Sequence, residues 1–186
     1  MSETNTPNEA PPRPANPDPE GAVDVAGALH RCAVLLHAFE ESGHDLGLLT
    51  SPGFPEGDWP AVLARARRRE KWNPRVFAGE EQMCTRLYLL ESDAIRAEAH
   101  GQVLCYERRS KTSHTIAGAL LQQLRDEGGK AAAEPAFKER LGELLCVARA
   151  LSAEHELMLE LAEDARLGDA EQRNARPLKG YDSASI

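Results

Sequence analysis

Residues 134–168 read EPAFKERLGELLCVARALSAEHELMLELAEDARLG. Within them Phe137, Leu141, Leu144, Ala148, Leu151, His155, Met158, Ala162 and Ala165 step by four and three without a slip. Such alternation averages 3.5 residues, close to the helical 3.6, so these side chains share one face of a continuous α-helix. Glu134-Pro135 opens it, because proline is pre-set to a helical φ and has no N–H to leave unpaired in the first turn. Gly168 is its expected stop. Four heptads predict a rod ~45–50 Å long at 1.5 Å per residue. Leu145, Leu157 and Leu161 broaden the apolar stripe beyond a two-position seam, which is the pattern of a helix packed in a bundle. His155 falls on the seam, where a polar residue satisfies a buried hydrogen bond or fixes register.

The chain upstream divides into further helical segments. The first is expected from Val23 to Ser42, with Val25, Leu29, Cys32, Leu36 and Phe39 on one face and Gly43 as its stop. A Gly- and Pro-containing loop to Gly57 follows, and Leu46, Leu48, Leu49 and Phe54 can fold back on the core. The second starts at Asp58 with Pro60 in its first turn, and ends near Trp72 because Pro74 disfavours helical geometry at Asn73. The third is expected from Gly79-Glu80-Glu81 to about Arg109 on the stripe Met83, Leu87, Leu90, Ala94, Ala97, Gly101 and Leu104, with Gly101 as an alternative break. Thr112 or Ser113 caps a fourth, His114 to Asp126, closed by Gly128-Gly129.

No strand-like alternation and no internal repeat is found. The expected fold is an all-α, four- to five-helix bundle with a long heptad-patterned C-terminal helix and disordered tails. The bundle domain is 23–168. Residues 1–22 carry six prolines, at 7, 11, 12, 14, 17 and 19, and read as a disordered arm. Residues 169–186 read as a flexible tail in which Leu178, Tyr181 and Ile186 can dock on a partner.

Aromatics are only 5% of the chain, so the core must be mostly Leu and Ala. No run approaches the ~20 apolar residues of a membrane span, and the N-terminus has no apolar leader. Cys32, Cys84, Cys105 and Cys146 lack paired spacing and sit in apolar-periodic segments, which predicts reduced, buried thiols in a cytoplasmic protein rather than a zinc site.

Charge supplies the functional pointer. Six of the eleven residues from Arg65 to Arg75 are basic (Arg65, Arg67, Arg68, Arg69, Lys71 and Arg75) in a chain of net charge −8. Such a block needs something negative nearby. On a helical wheel Trp59, Val62, Leu63 and Ala66 point inward. Arg65, Arg67, Arg68 and Lys71 face water, with Arg69 at the border and Trp72 between Arg65 and Arg68. Guanidinium beside an exposed indole suits phosphate neutralisation and base stacking. Arg108, Arg109 and Lys111 form a second cluster able to extend the track. Against this, residues 134–171 hold ten acids and four bases, so the last helix of another copy could meet the basic helix instead.

His30, His37, Glu41 and His44 fall on one stripe, and His37 with Glu41 is a workable ligand pair. However, Gly43 is expected to end the helix before His44, and no second helix shows a matching ligand motif. Glu156, Glu160, Glu163 and Asp164 form an acidic helix face, for which Glu91, Asp93 and Glu98 make no second magnesium-binding set. Phosphate-loop, nucleophile-elbow and zincin motifs are absent. No cofactor or metal is therefore expected.

The expectation is a non-enzymatic helical accessory subunit that contacts nucleic-acid backbone without sequence preference, inside a larger assembly. The alternative is an adaptor or self-assembling subunit whose basic face meets an acidic protein surface. A metal-dependent bundle enzyme is the second alternative.

Overall fold

The computed structural model describes residues 19–175, with side chains from Asp24 onward, and every regular element among them is helical. The helices are α1 (Pro19–Thr50), α2 (Trp59–Trp72), α3 (Glu80–Tyr88), α4 (Asp93–Glu127), α5 (Gly129–Ala133) and α6 (Pro135–Ala175), with a single 3-10 turn at Glu56–Asp58. The protein is thus an all-α bundle with a long C-terminal helix. Most of the Pro-rich arm, and Leu178, Tyr181 and Ile186, lie outside the described residues.

Three long rods form the frame. α4 runs antiparallel to α1, since Thr50 Oγ1 meets His100 Nδ1 at 2.8 Å and His44 Nδ1 lies 3.8 Å from Glu107 Oε1. It is also antiparallel to α6, with Ser92 N–H donating to Asp169 Oδ1 at 2.7 Å and Tyr106 Oη 3.1 Å from His155 Nδ1. α2 and α3 make a short hairpin laid on α1 and α6, and α5 fills the turn between α4 and α6. All nine seam residues of α6, from Phe137 to Ala165, are buried, as their periodicity requires.

Gly43 does not end the first helix. α1 continues to Thr50 and brings Leu46 and Leu49 into the core from a helix rather than from a loop. A Cβ on Gly43 would stand 2.9 Å from Glu107 Cα, and one on Gly47 would stand 2.8 Å from Glu107 Oε2. These glycines let α4 approach α1 closely; positive φ, the property that makes glycine a helix stop, occurs only at Gly53, Gly79 and Gly128 among the described residues. Gly43→Ala is therefore expected to destabilise the fold by about 1–3 kcal/mol through overpacking against backbone. Gly101→Ala, which meets nothing within 4 Å, is expected to be neutral or stabilising. Chemical denaturation of the two variants checks the contrast.

The third and fourth segments are also divided differently. The chain breaks at Leu89–Ser92, and α4 then runs unbroken to Glu127. Ser92 caps the new helix by accepting from Ile95 N–H, while Asp169 and Gln172 of α6 take the Ser92 N–H and Oγ–H. The break resets the phase. The buried stripe of α4 is Ala99, Val103, Tyr106, Ser110, Ser113, Ala117 and Leu120, whereas Ala94, Ala97, Gly101 and Leu104 face solvent. Thr112 and Ser113 cap nothing; their hydroxyls donate to Arg108 and Arg109 carbonyls one turn back within α4. Gly168 likewise lies inside α6, packed on Ile95, because Asp169 must continue the helix to reach the start of α4.

Candidate functional site

α2, from Trp59 to Trp72, carries the basic block except Arg75, which lies in the turn that follows, with Pro60 in its first turn and Asn73 as its C-cap. Asp58 precedes it from the 3-10 turn without a side-chain cap. The buried stripe of α2 is Val62, Ala66 and Arg69, a four-three step whose last member is a cation. Arg69 is thus not a border residue facing water: it is only 2% exposed.

Its guanidinium is held from three sides. Nε donates to Glu80 Oε1 at 2.9 Å, Nη2 donates to Asp45 Oδ2 at 2.7 Å, and Glu41 Oε2 lies 3.6 Å from Nη1. Asp45 and Glu80 are themselves fully buried, on α1 and at the first turn of α3. Burial works against the charge on Arg69, but Glu80 and Asp45 outweigh it and hold the guanidinium firmly protonated. Burial pushes the Glu80 carboxyl up, with Arg69 opposing.

The neighbouring arginines are similarly engaged within the chain. Arg65 Nε donates to Asp45 Oδ1 at 2.9 Å, and Arg67 forms a two-pronged pair with Glu81 at 2.9 and 2.8 Å. Arg68 reaches Glu41 more loosely, at 3.5 Å. Glu70 accepts the Glu81 N–H at 3.0 Å, so α2 also caps α3. In the second cluster Arg109 pairs with Glu154 of α6 at 3.1 Å. Among the described residues Lys71, Arg75, Arg108 and Lys111 are exposed and have no carboxylate partner. Much of the negative charge that the basic block calls for therefore comes from this chain's own α1, α3 and α6.

Trp72 is 48% exposed, with its ring tilted against Phe77 at 6.1 Å. It borders a groove of about 240 Å³ between α1 and α2, lined by Val34, His37, Ala38, Glu41, Arg68 and Arg69. Arg68 and Arg69 are the guanidinium-bearing residues that line this groove with Trp72.

Behind Arg69 lies the polar centre of the bundle: Ser42, Asp45, Glu80, Tyr106 and His155, all buried. His155 meets Tyr106, fulfilling the hydrogen-bonding role that its seam position implies. Its ring is pushed down to about 4 by burial, with Arg69 adding to the effect, so it is neutral at pH 7. Of the cysteines, Cys32 and Cys84 are buried, but Cys105 and Cys146 are exposed, because they sit beside rather than on the buried stripes of α4 and α6.

The histidine stripe of α1 acquires partners invisible along the sequence. His114 of α4 lies against His37, ring centroids 4.9 Å apart, and its Nδ1 contacts Glu40 Oε2. His44 pairs with Glu107, and exposed His30 is outside the cluster. Glu40 and His114 escaped the sequence reading because only the antiparallel α1–α4 register brings them together. Asp45 escaped it because it lies beyond Gly43, although it follows Ser42 at helical spacing.

No family model matches the chain, and neither curated proteins nor solved structures include a match to it.

Proposed function

We propose that the protein is a non-enzymatic, self-assembling helical adaptor whose α2 face docks an acidic helix of another copy. The observation that carries this reading is the exposed stripe Leu157, Glu160, Asp164, Leu167 and Glu171 on α6, in which Leu157 is 56% and Leu167 47% exposed. It is apolar and acidic at helical spacing. The α1–α2 groove offers the complement: Val34 and Trp72 as an apolar seat with Arg68 in its lining, and exposed Lys71 and Arg75 on and just beyond the same helix. Joining two different faces is heterologous association, which yields a ring or an open chain of subunits.

Sedimentation velocity at low and high salt, without nucleic acid, tests this. Oligomers at low salt should dissociate at high salt. Arg68→Glu/Lys71→Glu removes one face and Glu160→Lys/Asp164→Lys the other. Each double variant alone should be monomeric, because like charges then meet, while their mixture should reassemble, since both the native pair of faces and the charge-reversed pair are complementary. A wild type that is monomeric at all salt concentrations would falsify the reading.

Nucleic-acid contact remains the second reading, favoured by the exposed Trp72 and by exposed Lys71 and Arg75, which have no carboxylate partner among the described residues. It has few free cations on α2, because Arg65, Arg67 and Arg69 are held by carboxylates. A steep salt dependence of oligonucleotide binding, lost in Trp72→Ala, would support it over assembly.

A further inference from the structure

We propose that His37 and Glu40 of α1, together with His114 of α4, form a binding site for a borderline divalent transition metal, zinc being the redox-inert example. One ligand atom from each residue lies within 4.8 Å of the other two. Glu40 Oε2 already contacts His114 Nδ1 and lies 4.0 Å from His37 Nδ1. Ligand atoms around a tetrahedral zinc ion are separated by about 3.3 Å, so small rotations of exposed or half-buried side chains close the set. Two imidazoles exclude calcium and magnesium as preferred occupants and favour zinc, cobalt, nickel or copper.

The backbone holds the three residues in place. His37 and Glu40 are three apart on one helix, hence on neighbouring positions of one face. His114 arrives from the antiparallel partner where Gly43, one turn along, brings α4 against α1. Beyond the ligands, Glu41 Oε1 lies 3.9 Å from His37 Nε2 and is itself engaged by Arg68 and Arg69. With His37 Nδ1 turned to the metal, its Nε2–H faces Glu41. A carboxylate behind a metal-bound imidazole in this way fixes tautomer and ring orientation. Glu41 is thus a positioning residue rather than the ligand that its spacing from His37 suggests. Three protein ligands leave a fourth position for water or an incoming group. The site does not depend on the assembly reading, although His37 also lines the α1–α2 groove.

The test uses the full chain without an affinity tag, carrying Cys105→Ser and Cys146→Ser so that exposed thiols cannot compete as ligands. Cobalt(II) is followed by its visible absorption and zinc by calorimetry. One ion per chain is expected, with His37→Ala or His114→Ala abolishing binding and Glu41→Gln weakening it by about 10–100-fold. His30→Ala should leave it unchanged, and circular dichroism should be the same for all variants. Absence of binding, or equal binding by the His37→Ala/His114→Ala double variant, overturns the proposal. Because the readout is metal uptake, failure of assembly leaves its outcome unaffected.

Discussion

Arg69→Met is expected to lower the free energy of unfolding by about 3–5 kcal/mol, the effect of breaking a buried ion pair from one side. The methionine fills much of the volume but strands Glu80, whose only guanidinium contact among the described residues is Arg69. Asp45 retains Arg65. Two comparisons separate this from loss of a surface charge. Arg68→Met removes an exposed cation with one loose pair at 3.5 Å, and should change stability by no more than about 0.5 kcal/mol. Adding Glu80→Gln to Arg69→Met removes the stranded charge and should recover part of the loss. Urea titrations followed by circular dichroism measure all three variants. Equal stability of the Arg69→Met and Arg68→Met proteins would show that the buried network contributes nothing. The result also bears on binding assays: a defect caused by replacing Arg69 reports on the fold before it reports on any ligand.

Lowering the pH from 7 to 4 is expected to remove about 3 kcal/mol of stability through His155 alone. The folded ring titrates at about 4, against 6.5 in the unfolded chain. As pH falls through 6.5 the unfolded state takes up a proton that the folded state refuses, which favours unfolding. The contribution is complete above 6.5, declines through the window, and is exhausted below 4. At about 1.36 kcal/mol per unit the gap of roughly 2.5 units gives the stated figure. Glu80, whose carboxyl burial pushes up, acts in the opposite sense. The measurement is therefore the difference between wild type and His155→Gln, a neutral side chain that can still hydrogen-bond Tyr106. That difference should be flat above pH 6.5 and shift by about 3 kcal/mol by pH 4. A flat difference across the whole range would mean that His155 is solvated.

The α6 seam was legible because its rule is local. Nine apolar or weakly polar residues at one spacing admit one buried face, and no contact with the rest of the chain is needed to identify it. α2 was legible for the same reason, since Pro60 and Pro74 bracket it through steric rules of the chain itself. Glycine was the ambiguous letter. Gly128 ends α4 with φ +60°, whereas Gly43 and Gly168 sit inside helices because another helix packs against them. Only the neighbour distinguishes these uses. The misplacement of Gly43 had a further consequence. It put Asp45 in a loop, and so hid the carboxylate toward which Arg65 and Arg69 turn.

What the sequence by itself determined is the helical class, the long C-terminal rod and the position of the cations on α2, all properties of near neighbours along the chain. The tertiary structure alone decided what those cations face. Asp45, Glu80 and Glu81 lie 11 to 24 residues from their arginines, and His37 lies on a different long helix from His114. Charge attracts through space, without regard to sequence separation, so only the antiparallel register of α1 on α4 and the hairpin of α2 on α3 could show which partners lie within reach.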